Sequence, residues 1–269
     1  MRPLGLALVL AALLVLPAGA QEPSDELLAR RTPAPWSPRL YLMDGGSHAL
    51  AHQILLRERW PSIPAKIDSR WVFQPYPGVD FWGVDISKIK GALSAFTSEA
   101  EKEQQVPAGA PRPLRILWLG SVIQGAPDAW VKQFNRLAKT ALLIVPGGND
   151  PESDSSEYWT PPGLKVGFAP EGEIEGASDR KKTVILYLDF GPVEVNVPGR
   201  GVMPLGATST ASALFAGHLA NVLSKGTGAG LTPIQIAAKL RSGFRGQDGH
   251  GLIVPEEELD ARITEVLNH

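Results

Sequence analysis

Hydrophobic and polar positions along the 269-residue chain follow two rhythms. Short, nearly continuous apolar runs at 40–43, 114–119, 141–145, 164–168 and 183–188, with a briefer one at 71–73, have the composition of β-strands. Between them, residues 48–59, 86–103, 128–139, 212–224 and, after Thr232-Pro233, 234–242 space their apolar side chains as helices do. The run Leu142-Leu143-Ile144-Val145 has no polar face, which is expected of a parallel strand covered on both sides. Strand and helix in alternation predict an α/β sandwich around a mostly parallel sheet. From Gly246 a glycine-rich tail leads into a last helix predicted over 255–267. With no internal repeat and no change of composition, residues 39–269 read as one domain.

The first 38 residues follow neither rhythm. Arg2, the apolar run 4–16 and Pro17-Ala18-Gly19-Ala20 form a charged end, a greasy centre and a small-residue cleavage site, so 1–20 read as a secretory signal. The run is shorter than the roughly 20 residues that span a hydrocarbon core, so no stable membrane span is expected after cleavage. The mature chain is therefore expected to be secreted or periplasmic. Residues 21–38 are polar and contain Pro23, Pro33, Pro35 and Pro38, the composition of a flexible lead-in.

Composition narrows the chemistry. Twenty-six basic against 28 acidic residues give a net charge of -2, without the basic surface a nucleic-acid binder needs to displace counterions. The absence of cysteine excludes thiolate metal sites, a cysteine nucleophile and thiol redox chemistry. Serine, carboxylate and imidazole groups remain. In an open parallel sheet ligands sit beyond the carboxyl ends of the strands. Three segments stand there: Asp44-Gly45-Gly46-Ser47-His48, Pro146-Gly147-Gly148-Asn149, and Gly206-Ala207-Thr208-Ser209 ahead of an Ala-rich helix. Taken singly, Asp-Gly-Gly and Gly-Gly-Asn are also turn sequences, and Ser209 is also a helix N-cap. Taken together, a carboxylate, an imidazole four residues on and a serine facing a helix N-terminus are the parts of an activated nucleophile.

The order of these segments resembles the subtilisin-like serine peptidases. Ala207-Thr208-Ser209-Thr210-Ala211-Ser212-Ala213-Leu214-Phe215-Ala216-Gly217 is similar to the family's Gly-Thr-Ser-Met-Ala-x-Pro-x-Val-Ala-Gly, with Ser209 at the nucleophile. Val195-Asn196-Val197-Pro198-Gly199 resembles the Ala-Pro-Gly segment upstream, and Leu231-Thr232-Pro233-Ile234-Gln235-Ile236 the Leu-Thr-Pro-x-Gln-Val downstream. The strand ending in Gly148-Asn149 resembles the one that supplies an oxyanion-hole amide. Ser47-His48 resembles the histidine motif, and Leu40-Tyr41-Leu42-Met43-Asp44-Gly45-Gly46 the strand ending in the triad acid.

The resemblance implies a three-layer α/β fold and a serine endopeptidase acting on peptides or proteins. In it Ser209 is the nucleophile, His48 the base, Asp44 the orienting acid and Asn149 the oxyanion donor. Leu119-Gly120-Ser121 resembles the segment that pairs with extended substrate. The sequence departs from the pattern in placing Asp44 and His48 in one stretch, in Ala207 and Ala213 where the family has glycine and proline, and in Ala49-Leu50-Ala51 after the histidine. His52, one helical turn on from His48, is an alternative imidazole. These departures leave open an inactive relative that binds peptides or a partner protein along the same groove. No cofactor and no metal are expected: Asp150, Glu152, Asp154 and Glu157 read as a solvated loop whose spacing fits no defined calcium loop. Trp60, Trp71, Trp82, Trp118, Trp130 and Trp159 read as packing residues.

Overall fold

Seven parallel strands build the central sheet: β1 (Trp36–Met43), β2 (Ala65–Ile67), β3 (Arg112–Leu119), β4 (Ala141–Pro146), β5 (Leu164–Phe168), β6 (Val184–Asp189) and β7 (Leu252–Pro255). Their spatial order is β7-β6-β5-β4-β3-β1-β2, and every neighbouring pair is parallel. The computed structural model describes residues 35–68, 70, 73–75, 82–84, 86–105, 110–120, 123–124, 128–148, 158–159, 163–174 and 183–269. Among the described residues six helices accompany the sheet: α1 (Gly46–Arg59), α2 (Ile86–Glu103), α3 (Asp128–Leu137), α4 (Ala207–Ser224), α5 (Pro233–Gly243) and α6 (Leu259–Asn268).

Strand periodicity sorts the side chains into two layers. In register, Leu40 lies beside Ile116 and Ile116 beside Leu142, while Leu42 lies beside Trp118 and Trp118 beside Ile144. These residues face one side, where they form a continuous core with α1, α4, α5 and α6. The intervening Met43, Leu117, Leu119, Leu143 and Val145 face the other side and pack on Leu93 and Phe96 of α2 and Phe134 and Leu137 of α3. Helices thus cover both faces, the three-layer arrangement expected from the apolar runs. Arg115 lies on the second face among apolar neighbours. It is tolerated there because Glu103 and Glu99 accept from its guanidinium at 2.8 and 3.0 Å and the Tyr41 and Phe96 rings stack on it.

Several boundaries differ from the sequence reading for identifiable reasons. β1 begins at Trp36, so the last three residues of the expected lead-in belong to the sheet; Trp36 is buried, donates to the Gly228 carbonyl and carries Arg112 on its ring. The run near 71–73 contributes Phe73–Pro75 to a separate antiparallel pair with Trp82–Val84. β2 and β7 are edge strands of three and four residues, too short to declare themselves by pattern. β7 and a 3₁₀ turn at Glu256–Glu258 occupy the start of the stretch read as a last helix. A hairpin, Val193–Val197 against Gly201–Leu205, precedes α4, with Val193, Val195 and Val197 turned inward and Glu194 and Asn196 outward.

α4 buries most of its side chains, and small residues let it lie close to its neighbours. Gly217 faces the Trp60 ring so closely that any β-carbon would overlap it. Gly217→Ala is therefore expected to lower stability by about 1–3 kcal/mol, the cost of overpacking a close-packed core. Urea denaturation checks this, and an unchanged midpoint would show that the Trp60 contact is not constraining.

Candidate functional site

β1 releases the chain at Met43, and the turn Asp44-Gly45-Gly46 starts α1 immediately, with Gly46 at φ 52°. Gly45 is the N-cap residue and has no side chain to offer. Asp44, one residue earlier, is held at this turn: its Oδ1 accepts from the Gly45 N–H at 2.8 Å, while its Oδ2 contacts Nδ1 of His48 in the first turn of the helix. The Asp44 side chain is 6% exposed and the His48 side chain 44%, so the carboxylate is enclosed while the imidazole opens outward. The positive end of α1 further favours the carboxylate. Gly120, just past β3, closes over the same group, since a β-carbon there would stand 2.5 Å from Asp44 Oδ2 and 2.5 Å from Trp118 Cη2.

His52 is placed differently. Its Nδ1 lies 2.9 Å from the His48 carbonyl and its Nε2 lies 3.2 Å from Oγ1 of Thr210 in α4. A carbonyl only accepts, so Nδ1 carries the proton and Nε2 receives the Thr210 hydroxyl. The ring is neutral and buried. Burial pushes its pKa down to about 4, helped by the neighbouring His48. His52 therefore ties α1 to α4 with both nitrogens engaged, whereas His48 holds the carboxylate contact.

Ser209 stands in the first turn of α4, two residues after Ala207, which holds the left-handed φ of 56°. The extended Gly206 is the N-cap, so Ser209 lies inside the helix start rather than capping it. α4 begins five residues before the predicted 212. A relay fixes this turn: the Trp118 indole N–H donates to Ser212 Oγ at 2.8 Å, and Ser212 donates to the Ser209 carbonyl at 2.8 Å. The Trp118 ring lies against both imidazoles, at 4.7 Å from His52 and 6.0 Å from His48, and the imidazoles meet edge-on at 4.4 Å.

The structure thus brings Asp44 and His48 into contact and links α1 to the turn bearing Ser209. Leu119 ends β3 with its side chain buried in the α2/α3 layer, which leaves main-chain atoms for the role expected of it. Asn149, Ser121 and the acidic loop of Asp150, Glu152, Asp154 and Glu157 lie outside the described residues. Trp118, which the sequence presents as a packing residue, and Thr210 and Ser212, which it presents only as neighbours of Ser209 in the serine motif, belong to the site. The available signal was register: Trp118 sits on the same face as Leu42, two residues ahead of Asp44. Asp44, His48 and His52 also offer three potential metal-ligand atoms within 4.8 Å of one another.

Neither a family model nor a curated protein matches the sequence. Solved structures do. A cold adapted subtilisin-like serine proteinase is similar over 81% of this chain and 88% of its own, with 14% identity and a TM-score of 0.56. The A-subunit of the AB5 toxin from E. coli matches over 85% and 93%, with 13% identity and a TM-score of 0.58. A prenylagaramide maturation protease matches over 90% and 98%, with 14% identity and a TM-score of 0.56. The chain has the three-layer α/β fold of subtilisin-like proteins.

Two outcomes test this geometry. Unfolded histidine takes up a proton near 6.5, whereas folded His52 refuses it until about 4. Its contribution is therefore intact above 6.5 and lost as pH falls towards 4, amounting to roughly 3 kcal/mol by the size of the shift. Denaturation at pH 7 and pH 4 is expected to show the gap between wild type and His52→Gln narrowing in acid; a constant gap would refute the buried neutral tautomer. Second, Ala207→Gly relieves a left-handed alanine and is expected to raise stability by about 1 kcal/mol or leave it unchanged against the added chain entropy, whereas a clear loss would show that the methyl is needed.

Proposed function

We propose that the protein is a serine endopeptidase of the subtilisin-like family. In this reading the Ser209 hydroxyl attacks a peptide carbonyl while His48 Nε2 takes its proton. Asp44, on His48 Nδ1, fixes the imidazole tautomer and stabilises the cation that forms. The first turn of α4 would favour the oxyanion, and Asn149 is the side-chain donor that the resemblance to the family implies. His48 then returns the proton to the leaving amine, and water repeats the sequence to release the acyl group. The observation that carries the reading is the enclosed Asp44 paired with an outward-facing His48, on a helix that His52 ties to the Ser209-bearing α4, in a fold whose neighbours include proteases. Extended peptide would pair with main-chain atoms past β3, around Gly120.

The leader-like residues 1–20 support a secreted or periplasmic protein. Among the described residues no helix is long and apolar enough to cross a membrane.

A fluorophosphonate probe tests the assignment. Stoichiometric labelling at Ser209 is expected, abolished in Ser209→Ala and slowed by a thousandfold or more in His48→Ala, with Asp44→Asn about 10⁴-fold below wild type. A folded protein that takes no label would instead be a peptide-binding relative, a reading favoured by the left-handed Ala207 at the site.

A further inference from the structure

We propose that Asp44, His48 and His52 bind a single transition-metal dication of the zinc class, in the place where the acid and base of the triad meet. The three ligand atoms lie within 4.8 Å of one another. Ligands about 2.0–2.1 Å from a tetrahedral ion stand roughly 3.3 Å apart, so side-chain rotations of an ångström or so complete the set. The two histidines are four residues apart on one helix face, the spacing that brings paired imidazoles onto one ion.

The outer contacts favour the same use. Asp44 Oδ1 is held by the Gly45 N–H, which leaves Oδ2 pointing at His48. His52 Nδ1 donates to the His48 carbonyl, which leaves the Nε2 lone pair for the ion in exchange for the Thr210 hydroxyl. Ligating side chains are commonly oriented in this way, with the atom that does not bind metal anchored on the main chain. The exposed edge of His48 provides an entry path, whereas Asp44 and His52 close the site behind it. Two imidazoles and one carboxylate suit zinc, copper or nickel better than calcium or magnesium.

An ion here engages the His48 imidazole and the Asp44 charge together, so neither can serve Ser209. That inhibitory consequence rests on the proposed hydrolase function; the binding itself does not. The test uses the full chain without an affinity tag, titrated with Co²⁺ while its d–d absorption is followed, and with Zn²⁺ by calorimetry. One equivalent is expected to bind with tetrahedral cobalt bands. His48→Ala and His52→Gln should each weaken binding at least 10–100-fold. Zn²⁺ should block fluorophosphonate labelling of Ser209 and EDTA should restore it. His48 is half exposed, so its alanine variant carries the test if His52→Gln does not fold. No saturable binding up to about 1 mM, or binding unchanged by His48→Ala, overturns the proposal. Labelling that Zn²⁺ does not affect, in a protein that binds no ion, sinks the metal site and keeps the hydrolase; a bound ion in a protein that never labels does the reverse.

Discussion

The contact between Asp44 and His48 is the constraint on which the rest of the site depends. An enclosed carboxylate must be neutralised or hydrogen-bonded, and here the helix start supplies an N–H and an imidazole within four residues. That arrangement is possible because β1 ends and α1 begins with only two glycines between Asp44 and Ser47. The junction also meets the end of β3, because Gly120 stands against the same carboxylate. One short segment thereby fixes the ends of two adjacent strands and the direction of the helix that carries the imidazole.

The second half of the site is held to the first by polar ties through an otherwise apolar interface. Thr210 and His52 join α4 to α1, and Trp118 reaches from β3 through Ser212 to the Ser209 carbonyl. His52, Thr210, Trp118 and Ser212 are all buried, so loosening any one of them strands a polar atom away from water. The opposite face of the sheet is organised for packing: Arg115 and its glutamates close that layer over Tyr41 and Phe96. The division follows from strand alternation, since Trp118 and Leu119 are consecutive yet serve opposite layers.

Much of this was legible from the chain because its information is local. The fully apolar β3 and β4 announce a covered parallel sheet, and Asp44 and His48 sit within reach of each other by chain length alone. What escaped depends on partners distant in sequence. The three-residue β2 and four-residue β7 are strands only because β1 and β6 offer them an edge. The start of α4, rich in threonine and serine, reads as a capping sequence, whereas in the helix His52 engages the Thr210 hydroxyl and Trp118 the Ser212 hydroxyl. Trp118 reads as packing until the register sets it beneath two imidazoles.

Identities of 13–14% across most of three solved chains show how few positions the fold needs. Layering requires only apolar character at alternating positions, which many residues satisfy. The site is less forgiving, because its parts must meet at fixed distances, and here they share structural duties. His52 serves as the tie between helices, Asp44 as the acceptor at the turn that leads into α1, and Gly120 as the lid on Asp44. Placing the carboxylate and the imidazole in one turn removes independence: any shift of the turn moves both together. Their mutual geometry is thus protected by the chain itself. Alignment with Ser209 is the separate problem, and it falls to the His52–Thr210 tie and to Trp118.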